Sequence, residues 1–176
     1  MNSKEKLAGA LEALLACKNL DDIPVSEIVA CASVSRKTFY RNFKDKYDLA
    51  AWYFARLYEG SFGRIKEGVG WEEALLSHLE IYEEKHPVLK NAYESRDVNG
   101  LRACDILLTK RTFEEYLAGK GVDTQTEDMR FAIEIAARGG TDCIIEWLLG
   151  GMKMDKARLA SLLKRTLPGD ILRHIG

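Results

Sequence analysis

Apolar residues recur along this chain at intervals of three and four, the spacing that gathers them on one face of an α-helix. Leu7, Leu11, Leu14 and Leu15 make the first stripe, on a helix predicted over residues 3–18, with Asn2 and Glu5 at capping-box spacing at its start. Residues 18–22 read as a loop. Val25, Ile28, Val29 and Ala32 then mark a short second helix, and Pro24 suits its opening, where a missing N–H has no bond to lose. Residues 32–35 are a tight turn. Ser35 is placed to cap a third helix, with Val34 and Phe39 as a hydrophobic staple that fixes its angle of approach. Phe39 and Phe43, four apart, point inward. Asp45 caps a fourth helix, with Asp48 three residues on and Leu49, Tyr53 and Leu57 as its stripe.

Beyond Gly60 the pattern stays helical. Gly63, Gly68 and Gly70 loosen the way into a fifth helix over residues 71–85, which Pro87 ends. A short helix over residues 88–96, a break at Asn99 and Gly100, and a helix over residues 101–118 follow. Thr124 and Glu127 read as a capping box for a long helix reaching Leu149, where Gly150 and Gly151 stop it. Asp155 caps a last helix to about residue 166. No sustained alternation of period two occurs, so the expected fold is all-α, with about nine helices. A boundary near residue 48 divides it into an N-terminal three-helix domain, residues 1–48, and a C-terminal helical bundle, residues 49–176.

Charge changes this picture locally. The whole chain carries a formal −1, which gives no general attraction for nucleic acid, yet residues 36–46 hold five basic side chains against one acid. A basic stripe on a near-neutral protein suits a partner that touches one small face. The start of the chain is not an unbroken apolar run, being interrupted by Glu12, and no stretch has the length of a membrane span, so a cytoplasmic protein is expected. Cys17, Cys31, Cys104 and Cys143 lie far apart without metal-ligand spacing and are expected as reduced thiols in the core. His78, His86 and His174 also lack ligand spacing. No glycine-rich phosphate loop or nucleophile motif appears, so neither an enzyme nor a cofactor is expected.

Two short helices joined by a tight turn, the second basic on its outer face, describe a helix-turn-helix. In that geometry the first helix crosses the DNA backbone and the second enters the major groove, where arginine and lysine pair with guanine acceptors. Arg36, Lys37, Thr38, Tyr40 and Arg41 are the outward residues of the third helix, and the helix start behind Asp45 offers amides to a phosphate.

The run from Ser33 through Phe39, Tyr40 and Phe43 to Leu49, with residues 23–29 before it, closely resembles the signature of the tetracycline-repressor-like (TetR/AcrR) regulators. The resemblance spans about residues 4–57. It implies a homodimer that binds double-stranded DNA at a palindromic operator through the N-terminal domain and senses an effector through the C-terminal one. It implies groove contacts from Arg36, Lys37 and Thr38 with Arg41 beside them, phosphate contacts from Tyr40, Lys44 and Lys46, and Ser35 as the cap. Two positions depart from the family's pattern. Pro24 stands where a threonine often donates to a phosphate, and Ser33 stands where a turn glycine is usual, so Ser33 has to accept a backbone geometry that glycine takes freely.

In the C-terminal half, Ala132, Ala136 and Gly140 fall four apart on the long helix and would let another helix approach closely. With Phe131, Ile135, Ile144 and Leu148, and with Leu159 and Leu162 of the last helix, they resemble the family's dimer-forming helices; the other reading is that they fill the protomer's core. Candidates for lining an effector pocket are Trp71, His78, Tyr82, Tyr93, Cys104, Phe113, Tyr116 and Trp147. Residues 144–152 also resemble a compact branch that includes dihydroxyacetone kinase operon regulators, some of which are coactivators answering to a partner protein. That leaves a small-molecule effector and a partner protein both open. It also leaves a second function, an adaptor or coactivator with weak DNA binding of its own.

Overall fold

The computed structural model describes residues 2–96 and 100–175. Ten α-helices account for most of the described residues, and none of those residues is in a strand. Asn99, part of the break expected before α7, lies outside the described residues.

The N-terminal unit is built as its local signals require. α1 (Ser3–Leu15) starts with a complete capping box: Glu5 N–H donates to the Asn2 side chain and Asn2 N–H donates to Glu5, both at 3.0 Å. It ends three residues before Lys18, because the Asn91 side chain takes the Leu15 carbonyl at 2.7 Å and Leu20 turns into the core on a 3-10 turn. α2 (Val25–Cys31) has Pro24 as its N-cap in extended conformation, one position outside the helix. α3 (Arg36–Asn42) follows, with Phe39 wholly buried and Phe43 nearly so. Leu7, Leu11, Ile28, Phe39 and Leu49, from α1–α3 and the start of the next helix, belong to the hydrophobic core that continues through the rest of the molecule.

α4 (Lys46–Ser61) joins that unit to the rest: its first half packs on α1, its second half on α5 and α7. A 3-10 stretch over Phe62–Glu67 ends at Gly68, whose φ of 93° suits a residue without a Cβ. α5 (Trp71–Glu84) and α6 (His86–Tyr93) are separated by a single residue, since Pro87 fits the first turn of a new helix as readily as it stops an old one. α7 (Leu101–Gly119) and α8 (Glu127–Leu149) pack side by side as the spine of the C-terminal unit.

The start of α8 corrects one expectation. Thr126, not Thr124, is the cap: its hydroxyl accepts from Met129 N–H at 3.3 Å. Thr124 is buried, and Asp123 turns the chain by accepting from Gln125 N–H at 2.9 Å. At the other end, Gly151 takes φ 82° and Met152 N–H closes back on the Trp147 carbonyl at 2.8 Å, a Schellman-type stop. α9 (Lys156–Arg165), capped by Asp155, lies on α5. A further helix, α10 (Gly169–Leu172), was not expected; Pro168 opens it, and it docks on α8 through the buried Ile171.

The cysteines are a second correction. All four are free, but Cys17, Cys31 and Cys143 are exposed and only Cys104 is half-buried, because each sits on the outer side or at the end of its helix rather than on the core stripe. Among the described residues, no helix is long and apolar enough to cross a membrane.

Candidate functional site

The outer face of α3 is set by what lies beneath it. Phe39 and Phe43 anchor the helix from below, with ring centroids 6.2 Å apart, and Val34 packs against the same core. Ser35 caps the helix by accepting from Thr38 N–H at 3.0 Å, and its hydroxyl lies 3.0 Å from that of Thr38. Arg36, Lys37, Tyr40 and Arg41 are left exposed on the opposite side, Tyr40 with 59% of its surface free. Thr38 is half-buried and Lys44 exposed at the helix's far end. Ahead of α3, Ser33 adopts φ 52°, the left-handed conformation expected at a position where glycine is usual. Its amide and that of Val34 bond back to the Ala30 and Val29 carbonyls, closing α2 with a serine in glycine's place.

Two of the nominated contacts are already engaged. The Lys46 ammonium donates to the Asp21 carbonyl at 2.7 Å and the Ile23 carbonyl at 3.0 Å, so it braces the loop between α1 and α2. The amides at the start of α4 are not free for a phosphate: Tyr47 and Asp48 N–H both donate to Asp45, at 2.9 Å each. An aspartate cap and a phosphate compete for the same donors and repel each other, which corrects that part of the sequence reading.

Asp21 ties the helix-turn-helix to the body of the protein. Its carboxylate accepts from Arg96 N–H at 3.0 Å, from the Ser95 hydroxyl at 2.6 Å and from the Tyr47 hydroxyl at 3.2 Å. The Arg96 amide, then Ser95, hold its pKa below the ordinary carboxylate value. An ion pair between Lys85 and Glu12 joins the α5–α6 junction to α1 nearby.

The second feature is a cavity of about 300 Å³ between α4, α5, α7, α8 and α9. Of the eight pocket candidates, Trp71, His78, Tyr82 and Phe113 line it. Trp71 stacks on Phe113 with centroids 4.3 Å apart, and Phe62 and Tyr58 continue the aromatic wall. Tyr93 sits behind Tyr82, its hydroxyl 2.7 Å away. Tyr116 packs on Trp71 from outside the cavity and faces a separate surface depression. Cys104 and Trp147 are off the wall: one residue along α7 from Asp105 is a turn of about 100°, and the Trp147 indole donates to the Met154 carbonyl at 2.7 Å.

The reading from sequence missed the polar centre of this cavity. Asp105, buried, accepts from the Tyr82 hydroxyl at 3.2 Å and from Tyr93. Burial raises its pKa to about 7, against the opposing hydrogen bond from Tyr82. The signal for it was present, since Leu101, Asp105, Thr109, Phe113 and Leu117 fall four apart, so an acid interrupts what is otherwise the inward stripe of α7. His78 is likewise buried and neutral, its pKa lowered to about 3 by desolvation. Ser61 donates to the Tyr58 carbonyl at 2.9 Å and lies 3.0 Å from His78 Nδ1; with its one proton spent, it accepts the Nδ1 proton.

On the surface of α8, Phe131 is 68% and Ile135 51% exposed, four residues apart on one face. Gly140 and Leu162 are half-buried, whereas Ala132, Ala136, Ile144, Leu148 and Leu159 are buried within the protomer. Only part of the nominated surface is therefore available to a neighbour from this chain. No group of three or more His, Cys, Asp or Glu among the described residues is arranged to hold a metal ion.

Comparison with known proteins finds two families along the chain. The family described as bacterial regulatory proteins, tetR family, matches residues 7–51, and the family described as transcriptional regulator C-terminal region matches residues 70–169. No curated protein matches the chain. Among solved structures, the dihydroxyacetone kinase operon activator DhaS superposes with a TM-score of 0.65 at 18% identity, over 98% of this chain and 96% of its own. A tetR-family transcriptional regulator from Streptomyces coelicolor superposes with a TM-score of 0.64 at 16% identity, over 99% of this chain and 90% of its own. At such identities these structures speak for the fold alone. The two family matches together span the helix-turn-helix and most of the helical body, and the chain belongs to the tetR family of bacterial transcription regulators.

Proposed function

We propose that the chain works as a homodimer that binds a palindromic DNA operator through α3, with an affinity controlled by what occupies its C-terminal domain. The observation that carries this reading is the rigid, basic face of α3: Arg36, Lys37, Tyr40 and Arg41 exposed together over buried Phe39 and Phe43. Arg36 and Lys37 sit in the first turn, where a recognition helix meets base edges, with Thr38 beside them. Tyr40, Lys44 and Lys46 serve the phosphates, Lys46 with the one N–H left after its two carbonyl bonds. The working division is residues 1–48 for DNA and 49–176 for sensing and dimerisation.

Two recognition helices one DNA turn apart require a partner protomer, and Phe131 with Ile135 supply an exposed apolar patch for it. The effector site is the cavity around Asp105. Its wall reaches Tyr93 through Asp105 and Tyr82. Tyr93 ends α6 just before Ser95 and Arg96, which hold Asp21 of the DNA-binding unit. An occupant that moves Tyr93 therefore acts on the joint that sets the two units' relative position, and shifts the population competent for DNA.

Fluorescence anisotropy with duplex DNA from upstream of the protein's own gene tests the reading. Binding is expected to favour that duplex over a scrambled one and to weaken steeply with salt. Tyr40→Phe and Lys44→Ala should weaken binding to all sequences, Lys44→Ala lowering the log–log salt slope by about one. Weak binding without preference would instead support a second reading, an activator that reaches DNA effectively only with a partner protein. That alternative draws on Pro24, which removes one phosphate donor, and on the commitment of Lys46 to carbonyls.

A further inference from the structure

Around the cavity wall, charge and ring placement are unequal. Asp105 is its one acid, and neither lysine nor arginine lines it among the described residues. The carboxyl is buried on the cavity wall, and its neighbours Tyr82 and Tyr93 are neutral donors that cannot balance a negative charge. His78 stays uncharged beside them, so the wall provides no cation of its own. The same wall holds the rings of Tyr58, Phe62, Trp71 and Phe113, and aromatic faces carry negative potential. A buried acid without a counter-ion, enclosed by aromatic faces, favours a positive guest on two independent grounds: it restores the carboxylate's lost solvation, and it lies against the rings.

We propose that the cavity takes a compact organic cation, an alkyl- or arylammonium compound, with Asp105 as its counter-ion and Trp71, Phe62 and Tyr58 as the aromatic cage. The volume of about 300 Å³ stands at the small end of ligand sites, which limits the guest to a single ring or a short branched chain. The Tyr82 and Tyr93 hydroxyls, already bonded to Asp105, hold its carboxylate toward the guest. This inference rests on the reading of the cavity as the effector site and names the chemical class of its occupant.

Isothermal titration calorimetry on the full chain, at about pH 8 where Asp105 is ionised, tests it with three near-isosteric probes: 3-phenylpropylammonium, 3-phenylpropanol and 3-phenylpropanoate. The ammonium ion should bind about tenfold tighter than the alcohol, and the carboxylate should not bind. Asp105→Asn keeps a hydrogen-bonding side chain for the two tyrosines and should bring the ammonium ion down to the level of the alcohol. Trp71→Leu should weaken the ammonium ion about fivefold or more. The proposal is overturned if the wild-type chain binds the alcohol or the carboxylate as tightly as the ammonium ion, or binds no ammonium ion at millimolar concentration. Survival of the charge preference in Asp105→Asn overturns it as well. Operator affinity, measured alongside with and without the ammonium ion, separates the two levels. A cation that binds without moving DNA affinity leaves the ligand class standing and removes the effector reading; no cation binding, with operator binding intact, does the reverse.

Discussion

Ser33 holds the turn of the helix-turn-helix at φ 52°, in a region where an L-residue's Cβ crowds the following carbonyl. A glycine there would lose the crowding and keep both backbone bonds that close α2, to the Ala30 and Val29 carbonyls. Ser33→Gly is therefore expected to stabilise the chain by about 1 kcal/mol in urea unfolding, without changing which DNA sequence is preferred. Asp105 and His78 make an opposed pair. With its pKa raised to about 7, Asp105 binds a proton in the folded state that the unfolded chain releases above its ordinary value of 3.8, so its contribution is full in acid and is lost as pH rises toward 7. His78, lowered from 6.5 to about 3, does the reverse: its contribution is full above 6.5 and is lost as pH falls toward 3. Burial also raises the pKa values of Tyr58 and Tyr82 on the same wall, so both phenols stay neutral across that interval. Asp105→Asn should thus uncover the histidine, making unfolding free energy between about pH 4 and 6 fall more steeply with acid than in the wild type, by up to about 1.4 kcal/mol per pH unit. An unchanged pH profile would contradict the buried state of Asp105. Ser33 was legible because the family the sequence resembles usually has glycine at that turn position, which marks a left-handed backbone. Asp105 interrupts a legible inward stripe of α7, but the stripe does not say what the acid meets: its partners Tyr82 and Tyr93 come from other helices.

At the scale of elements, the signals that proved reliable were those contained within four or five residues. The Asn2–Glu5 box, the Ser35 and Asp45 caps and the Gly150–Gly151 stop all act where the spacing put them. The start of α8 shows the limit of such reading, for Thr124 and Thr126 both stand before a helical run and the motif alone cannot choose. Thr124 is buried within the α7–α8 loop, and Thr126 takes the cap. Thr126→Ala should accordingly cost about 1 kcal/mol of stability in thermal unfolding, while Glu127→Gln should cost little. The joint at Asp21 was out of reach of sequence patterns altogether, since its partners Ser95 and Arg96 lie more than seventy positions away. Asp21→Asn weakens a charge-assisted acceptor of three bonds. Amide exchange should then speed up at residues 20–23 and 95–96, and coupling between cavity and DNA should fall even though α3 itself is untouched. Protection unchanged at both segments would show that the joint carries no mechanical load.

For the whole molecule, the all-α content, with helix-turn-helix-like helices first and a helical bundle after them, follows from period and motif, and the fold bears it out. Which aromatic residues share a cavity does not follow from period, because every helix of a bundle has an inward stripe and only the crossing of α4, α5, α7 and α8 brings certain stripes together. Four of the eight pocket candidates line the cavity for that reason, and Tyr58 and Phe62 line it without having been nominated. The same limit applies to association. Ala132, Ala136 and Ile144 are buried inside the protomer, and of the nominated interface residues Phe131 and Ile135 are the exposed ones. Ile135→Glu is expected to shift sedimentation from dimer to monomer and, by separating the two recognition helices, to cut operator affinity by about two orders of magnitude or more. A dimer that persists in Ile135→Glu would move the interface elsewhere. The central claim, that paired α3 helices read a two-fold site, is tested most directly by selecting bound sequences from a random duplex library with the full chain. The account expects an enriched palindrome whose half-sites lie about 10 base pairs apart centre to centre, or a multiple of that, with preference at the inner bases relaxed in Arg36→Ala. Recovery of no enriched motif, or of a motif without two-fold symmetry, would contradict it.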